Sequence, residues 1–171
     1  MVNKPKAIGT KAETAVARYL KANGFPHAER RALRGREDAG DITGTPGVAW
    51  SVKGGDKART AHDKLIEKWM ADLHQQRIHA DADVGILVMQ RTGYGDARAG
   101  NWWAIFHAPD LFQVHGGKED GLTWALLGAF WTWDIPVRVS LAHAVRLLRL
   151  GGWGEPFEGD PTEDEVPDGD C

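Results

Sequence analysis

Two hydrophobic rhythms run along this chain. Ala12, Ala15, Val16, Tyr19 and Leu20 recur every three or four residues, which puts them on one face of a helix. Thr10 and Glu13 form a capping box and Gly24 supplies a stop, so a helix is expected over 10–23. A second helix opens at Thr60 and runs to 79, with Leu65, Trp69 and Leu73 in one stripe and Ile66 and Met70 beside it. Between them the period shortens to two. Residues 48–53 alternate and stop at Gly54-Gly55; 41–43 form a partner strand, turned back by Thr45-Pro46-Gly47. A weaker alternation over 25–33 suggests a further strand, and 34–40 reads as a turn.

Beyond the second helix, 84–89 is an unbroken apolar run of strand length, as in a fully buried strand. The glycine-rich loop 91–100 leads to a strand over 102–106, where Trp102 and Trp103 must face opposite ways and one of them is free for a partner. Helix, three strands, helix and two strands make an α/β core over 1–109, with a central mixed five-stranded sheet flanked by helices. Residues 110–154 read as an appendage. It holds Trp124, Trp131 and Trp133, then a helix capped by Ser140 with Leu141, Ala144, Val145 and Leu148 on one face and Gly151-Gly152 as its stop. Residues 155–171 read as a disordered tail.

Charge changes the picture in one respect. The net charge of −3 hides a tail with 8 acids and no base; without them, 21 Lys and Arg face 16 acids. Residues 1–60 carry 12 bases against 6 acids, a balance that suits a polyanionic partner and also fits an ordinary solvated surface. The only cysteine, Cys171, excludes internal disulfides and cysteine-based zinc sites. No apolar run is long enough to span a membrane, and the first residues lack a signal peptide's apolar centre, so a cytoplasmic protein without membrane attachment is expected.

The chemistry concentrates around Gly40-Asp41 and Ser51-Val52-Lys53. Ser51 and Lys53 project from one face of a strand and Val52 points into the core, while Asp41 opens the neighbouring strand. A carboxylate beside a lysine at strand ends suits metal-dependent phosphodiester cleavage. There a hard divalent cation such as Mg²⁺ or Mn²⁺ needs only one or two carboxylates, a carbonyl and water. Arg30, Arg31, Arg34 and Arg36 form the densest basic cluster, read either as phosphate ligands or as a solvated edge strand. Lys4, Lys6 and Lys11 could lie along DNA as a flexible arm. Asp38 reads as a turn residue or a supplementary ligand. His74 and His79, five apart, are badly spaced to share a metal, and no histidine is assigned as a ligand.

Glu13, Gly40-Asp41 and the strand ending Ser51-Val52-Lys53 resemble the PD-(D/E)xK nuclease superfamily with its restriction-endonuclease-like core, above all the phage and archaeal-type Holliday junction resolvases. The resemblance covers 8–107. It implies a homodimeric, Mg²⁺-dependent endonuclease for branched DNA, with Glu13, Asp41 and Lys53 catalytic. The chain departs from the pattern at Ser51, where a glutamate is usual. Some type II restriction endonucleases are similar in placing serine there, with the acid about fourteen residues beyond the lysine, which here is Glu67. On that likeness Asp41, Glu67 and the Val52 carbonyl hold the metal, and Ser51 is a hydrogen-bonding spectator. Each residue has a plainer reading as well. The capping box alone explains Glu13, and pairing with Lys64 or Lys68 explains Glu67. Another restriction-like or repair nuclease, or a non-catalytic DNA-binding protein of the same fold, remains open.

Overall fold

The computed structural model describes residues 4–31, 38–108, 110 and 135–156. Its elements are α1 (Lys4–Lys21), β1 (Glu29–Arg30), β2 (Ile42–Thr43), β3 (Val48–Lys53), α2 (Asp56–Arg59), α3 (Asp63–His79), β4 (Val84–Met89), β5 (Trp103–His107), β6 (Pro136–Ser140) and α4 (Leu141–Leu150). The strands do not form one five-stranded sheet. A four-stranded sheet runs β3-β4-β5-β6, and β1 and β2 make a separate antiparallel pair. β3 and β4 are parallel, joined through α2 and α3, while β5 and β6 add antiparallel.

Helices cover both faces of the sheet. Val48, Trp50 and Val52 point to one side, where they join Ile86, Val88, Ala104 and Phe106 against α1 and α4. The alternate positions Leu87, Met89 and Ile105 point to the other and meet Ile66, Trp69, Met70 and Leu73 of α3. β4 is buried at all six positions, which explains its unbroken apolar run. Among the described residues no helix is long and apolar enough to cross a membrane.

Four expectations are corrected here. The first helix begins at Lys4, with Pro5 in its first turn. Thr10 is therefore interior and Glu13 caps nothing; the Thr10 carbonyl accepts instead from Thr14 Oγ1 at 2.7 Å. Thr60 does not open a helix: its hydroxyl donates to Asp56 O at 2.8 Å and closes α2, leaving α3 to start at Asp63. The expected strand over 25–33 shrinks to β1, and β2 starts one residue after Asp41. Lastly, residues 135–154, the described end of the region expected as an appendage over 110–154, pack into the core. β6 is the fourth strand of the sheet, and Leu141, Ala144, Val145, Leu148 and Trp153 are buried in the same core as α1. Ser140 caps α4 as expected, accepting from His143 N at 3.2 Å. Trp124, Trp131, Trp133, Arg34, Arg36 and the tail from 157 lie outside the described residues.

Candidate active site

Asp41 is placed by its neighbour. Gly40 has φ +90°, and a Cβ there would stand 2.8 Å from the Trp50 carbonyl oxygen, so only glycine lets the chain pass β3 so closely. The next residue is then held at three points. Asp41 N donates to Trp50 O (2.7 Å), Asp41 O accepts from Arg31 N (2.8 Å), and Oδ2 accepts from Val52 N (2.6 Å). One carboxylate oxygen is thus fixed to β3, and no described residue donates a hydrogen bond to Oδ1.

The two residues opposite Asp41 divide their roles by strand alternation. Lys53 O accepts from Gln90 N, so the polar groups of Lys53 turn toward β4. Val52, one residue earlier, turns its N–H and C=O to the opposite edge, where Asp41 takes the N–H. Its carbonyl therefore faces the Asp41 edge while its side chain sits in the core. At Gly54 a Cβ would lie 2.5 Å from that of Ala12, and this close approach brings α1 and Glu13 up to the end of β3.

Burial raises the Asp41 pKa above the ordinary carboxylate value. The Val52 N–H and the Lys53 ammonium oppose that rise, and the negative charges of Glu13 and Asp38 add to it. Glu13, Asp38 and Lys53 thus all act on Asp41 although they come from a helix, a loop and a strand end. Glu13 Oε2 also accepts from Arg30 Nη1 at 3.3 Å, tying one of the four expected arginines to the site. Arg31 reaches it through its backbone, and its side chain is exposed. Asp38 takes the turn role: Oδ1 accepts from Gly40 N (3.1 Å), and Oδ2 accepts from Gln76 Nε2 of α3 (2.7 Å).

Glu67 is not brought to Asp41. The Trp69 and Leu73 side of α3 packs on the sheet, and Gln76 on that side bonds Asp38. Glu67 lies with Asp63, Met70, His74 and Arg77 on the other flank, lining a cavity of about 740 Å³ with Ile105, His107, Asp110 and Arg138. The roll of the helix separates it from the hairpin, and its charge is not among those acting on Asp41. Ser51 is fully buried, and its hydroxyl makes no hydrogen bond with any described residue, so it is no hydrogen-bonding spectator. Lys6 and Lys11 ride on α1 rather than on a flexible arm, and Lys11 pairs with Asp96 at 3.0 Å.

Known protein families, curated proteins and solved structures offer no match to the chain. Function therefore rests on the site alone. Among the described residues no three His, Cys, Asp or Glu side chains form a metal-holding group. A six-coordinate cation such as Mg²⁺ needs no such cage, because it retains several waters and takes other oxygens from substrate phosphate. Sequence reasoning passed over one feature, the arginines packed on Trp103 and Tyr94. Its only signal was the Trp102-Trp103 pair: Trp102 is buried and Trp103 half-exposed.

Proposed function

We propose that this protein is a metal-dependent DNA endonuclease acting on branched DNA, most like a Holliday junction resolvase and working as a homodimer. One observation carries the proposal. Asp41, fixed through Oδ2 to the Val52 N–H, feels the charges of Lys53, Glu13 and Asp38 at the half-buried end of β3. Asp41 Oδ1 and the Val52 carbonyl would hold Mg²⁺ or Mn²⁺, with Glu13 beside them. The excess of carboxylates over Lys53 and the raised Asp41 pKa fit a site that accepts a cation. The bound cation would neutralise charge building on the cleaved phosphate. Lys53 orients the attacking water and adds positive charge at the same place, and Arg30 binds the flanking phosphate. Glu67 and Ser51 have no part in this reading.

A second reading has its own support. No acid stands at Ser51 and the roll of α3 takes Glu67 away, so a DNA-binding protein of the same fold without activity is the rival. The test is a synthetic four-way junction incubated with Mg²⁺ or Mn²⁺. Paired, symmetric cuts by wild type that vanish with Asp41→Asn and Lys53→Ala support the enzyme. Cuts confined to linear or flapped DNA point to a restriction-like or repair nuclease. Tight binding with no cleavage under either ion selects the rival, and neither binding nor cleavage sinks both.

A further inference from the structure

Three arginines crowd two aromatic rings at the same end of the sheet as Lys53. The Arg91 guanidinium carbon lies 4.0 Å from the centre of the Trp103 ring and 4.9 Å from that of Tyr94. Arg98 stands 5.0 Å from Tyr94, and Arg138 5.7 Å from Trp103. Neighbouring elements hold the rings in place. Trp102 Nε1 donates to Tyr94 O at 3.0 Å, and Trp103 packs against the α3 core.

The strand register links this cluster to the candidate site. Lys53 is opposite Met89 and Met89 is opposite Trp103, so the three form one row across β3, β4 and β5. They share the α3 face, as does Arg138, which pairs with Ile105 one position further along. Two strand spacings separate Lys53 from Trp103, about 10 Å. That is roughly three nucleotide steps of a DNA strand.

No carboxylate among the described residues ion-pairs with Arg91, Arg98 or Arg138, and the nearby Asp96 is taken by Lys11. Three like charges gathered with no ion-paired acid among the described residues repel one another, an arrangement that a polyanion relieves. Stacking on rings fixes each guanidinium plane and leaves edge N–H groups free for phosphate, at less entropic cost than free side chains would incur. Arg98 already uses one, Nη2, on Gly93 O at 2.6 Å.

We infer that Arg91, Arg98 and Arg138, braced by Tyr94 and Trp103, form a phosphate track for the DNA strand leaving the candidate site. The inference rests on the nuclease reading and names the surface that its substrate follows. It is tested by fluorescence-anisotropy binding of a four-way junction across a salt series, using the full chain carrying Asp41→Asn so that nothing is cut. Adding Arg91→Gln and Arg138→Gln should weaken binding at least tenfold. It should also lower the slope of log affinity against log salt by about 1.8, at 0.9 for each lost phosphate contact. Arg18→Gln with Arg146→Gln, the same charge change on α1 and α4 across the sheet, should leave the slope unchanged. Arg91→Lys with Arg138→Lys keeps the charge and should keep the slope. If the glutamine pair matches the α1/α4 pair while the Asp41→Asn chain still binds, the track is wrong and the nuclease reading stands. A lower melting temperature with an unchanged slope overturns it equally, showing that the stacking only braces the fold. If the Asp41→Asn chain does not bind DNA and wild type cuts none, both readings fall together.

Discussion

Replacing Gly40 by alanine probes the hairpin that presents Asp41. Gly40 and Gly93 share nearly the same φ, +90° and +82°, so alanine at either meets a left-handed penalty of about 1–2 kcal/mol. Their surroundings differ. A Cβ at Gly93 meets nothing within 4 Å, whereas one at Gly40 meets Trp50 O at 2.8 Å. Relief requires β2 and β3 to separate. This lengthens the Asp41 N–H to Trp50 O bond, worth about 1 kcal/mol, and strains the charged Asp41 to Val52 bond, worth about 1.5–3 kcal/mol. Gly40→Ala should therefore cost about 2–3 kcal/mol more than Gly93→Ala, a gap of about 5–10 °C in melting temperature for a chain of this size. Thermal unfolding by circular dichroism measures both. The same pair in the junction-cleavage assay should show Gly40→Ala losing activity and Gly93→Ala keeping it. Equal melting shifts would refute the claim that the strand approach, and not the backbone angle, demands glycine.

Three other outcomes are expected. Glu67→Gln should cleave at a near wild-type rate while Glu13→Gln loses most activity, since only Glu13 acts on Asp41; a dead Glu67→Gln enzyme would return the acid to α3. Because burial raises the Asp41 pKa, the folded chain holds that proton more tightly than the unfolded one. Wild type should accordingly gain stability relative to Asp41→Asn as pH falls through the folded value, the gain being complete below the ordinary 3.8. Melting curves of the two proteins across that range check the sign. Leu148→Ala, emptying a fully buried site in the core shared with α1, should cost about 2–5 kcal/mol in urea unfolding. A loss confined to a separate transition would mean that α4 folds apart from the sheet.

How much was legible beforehand depended on where each residue's partners lie. β3 and β4 were read with their true bounds because burial on both faces leaves a sequence of apolar or alternating residues with no competing pattern. β6 was invisible for the opposite reason: its side chains are exposed or half-buried, and Pro136 and Arg138 look like loop. Asp41 and Lys53 were expected near one another because both lie on one tight hairpin, and the Lys53 charge does act on Asp41. Glu67 was misplaced because sequence spacing tells how far along α3 it sits but not how the helix rolls, and that roll is decided by Trp69 and Leu73 packing on the sheet. The arginine cluster depends on register between β4, β5 and β6, which no short window contains.

The late position of β6 and α4 has a consequence for the chain as it is made. The core around α1 lacks Leu141, Ala144, Val145, Leu148 and Trp153 until those residues are synthesised, and only then can Glu155 N–H bond back to Gly24 O at 2.7 Å. Until that point the apolar face on Ile86, Val88, Ala104 and Phe106 has α1 to pack against but lacks the cover of α4. A ribosome stalled before residue 141 would display this face to chaperones. Acquisition of the fold, and of the site built on it, thereby waits until α4 has been made.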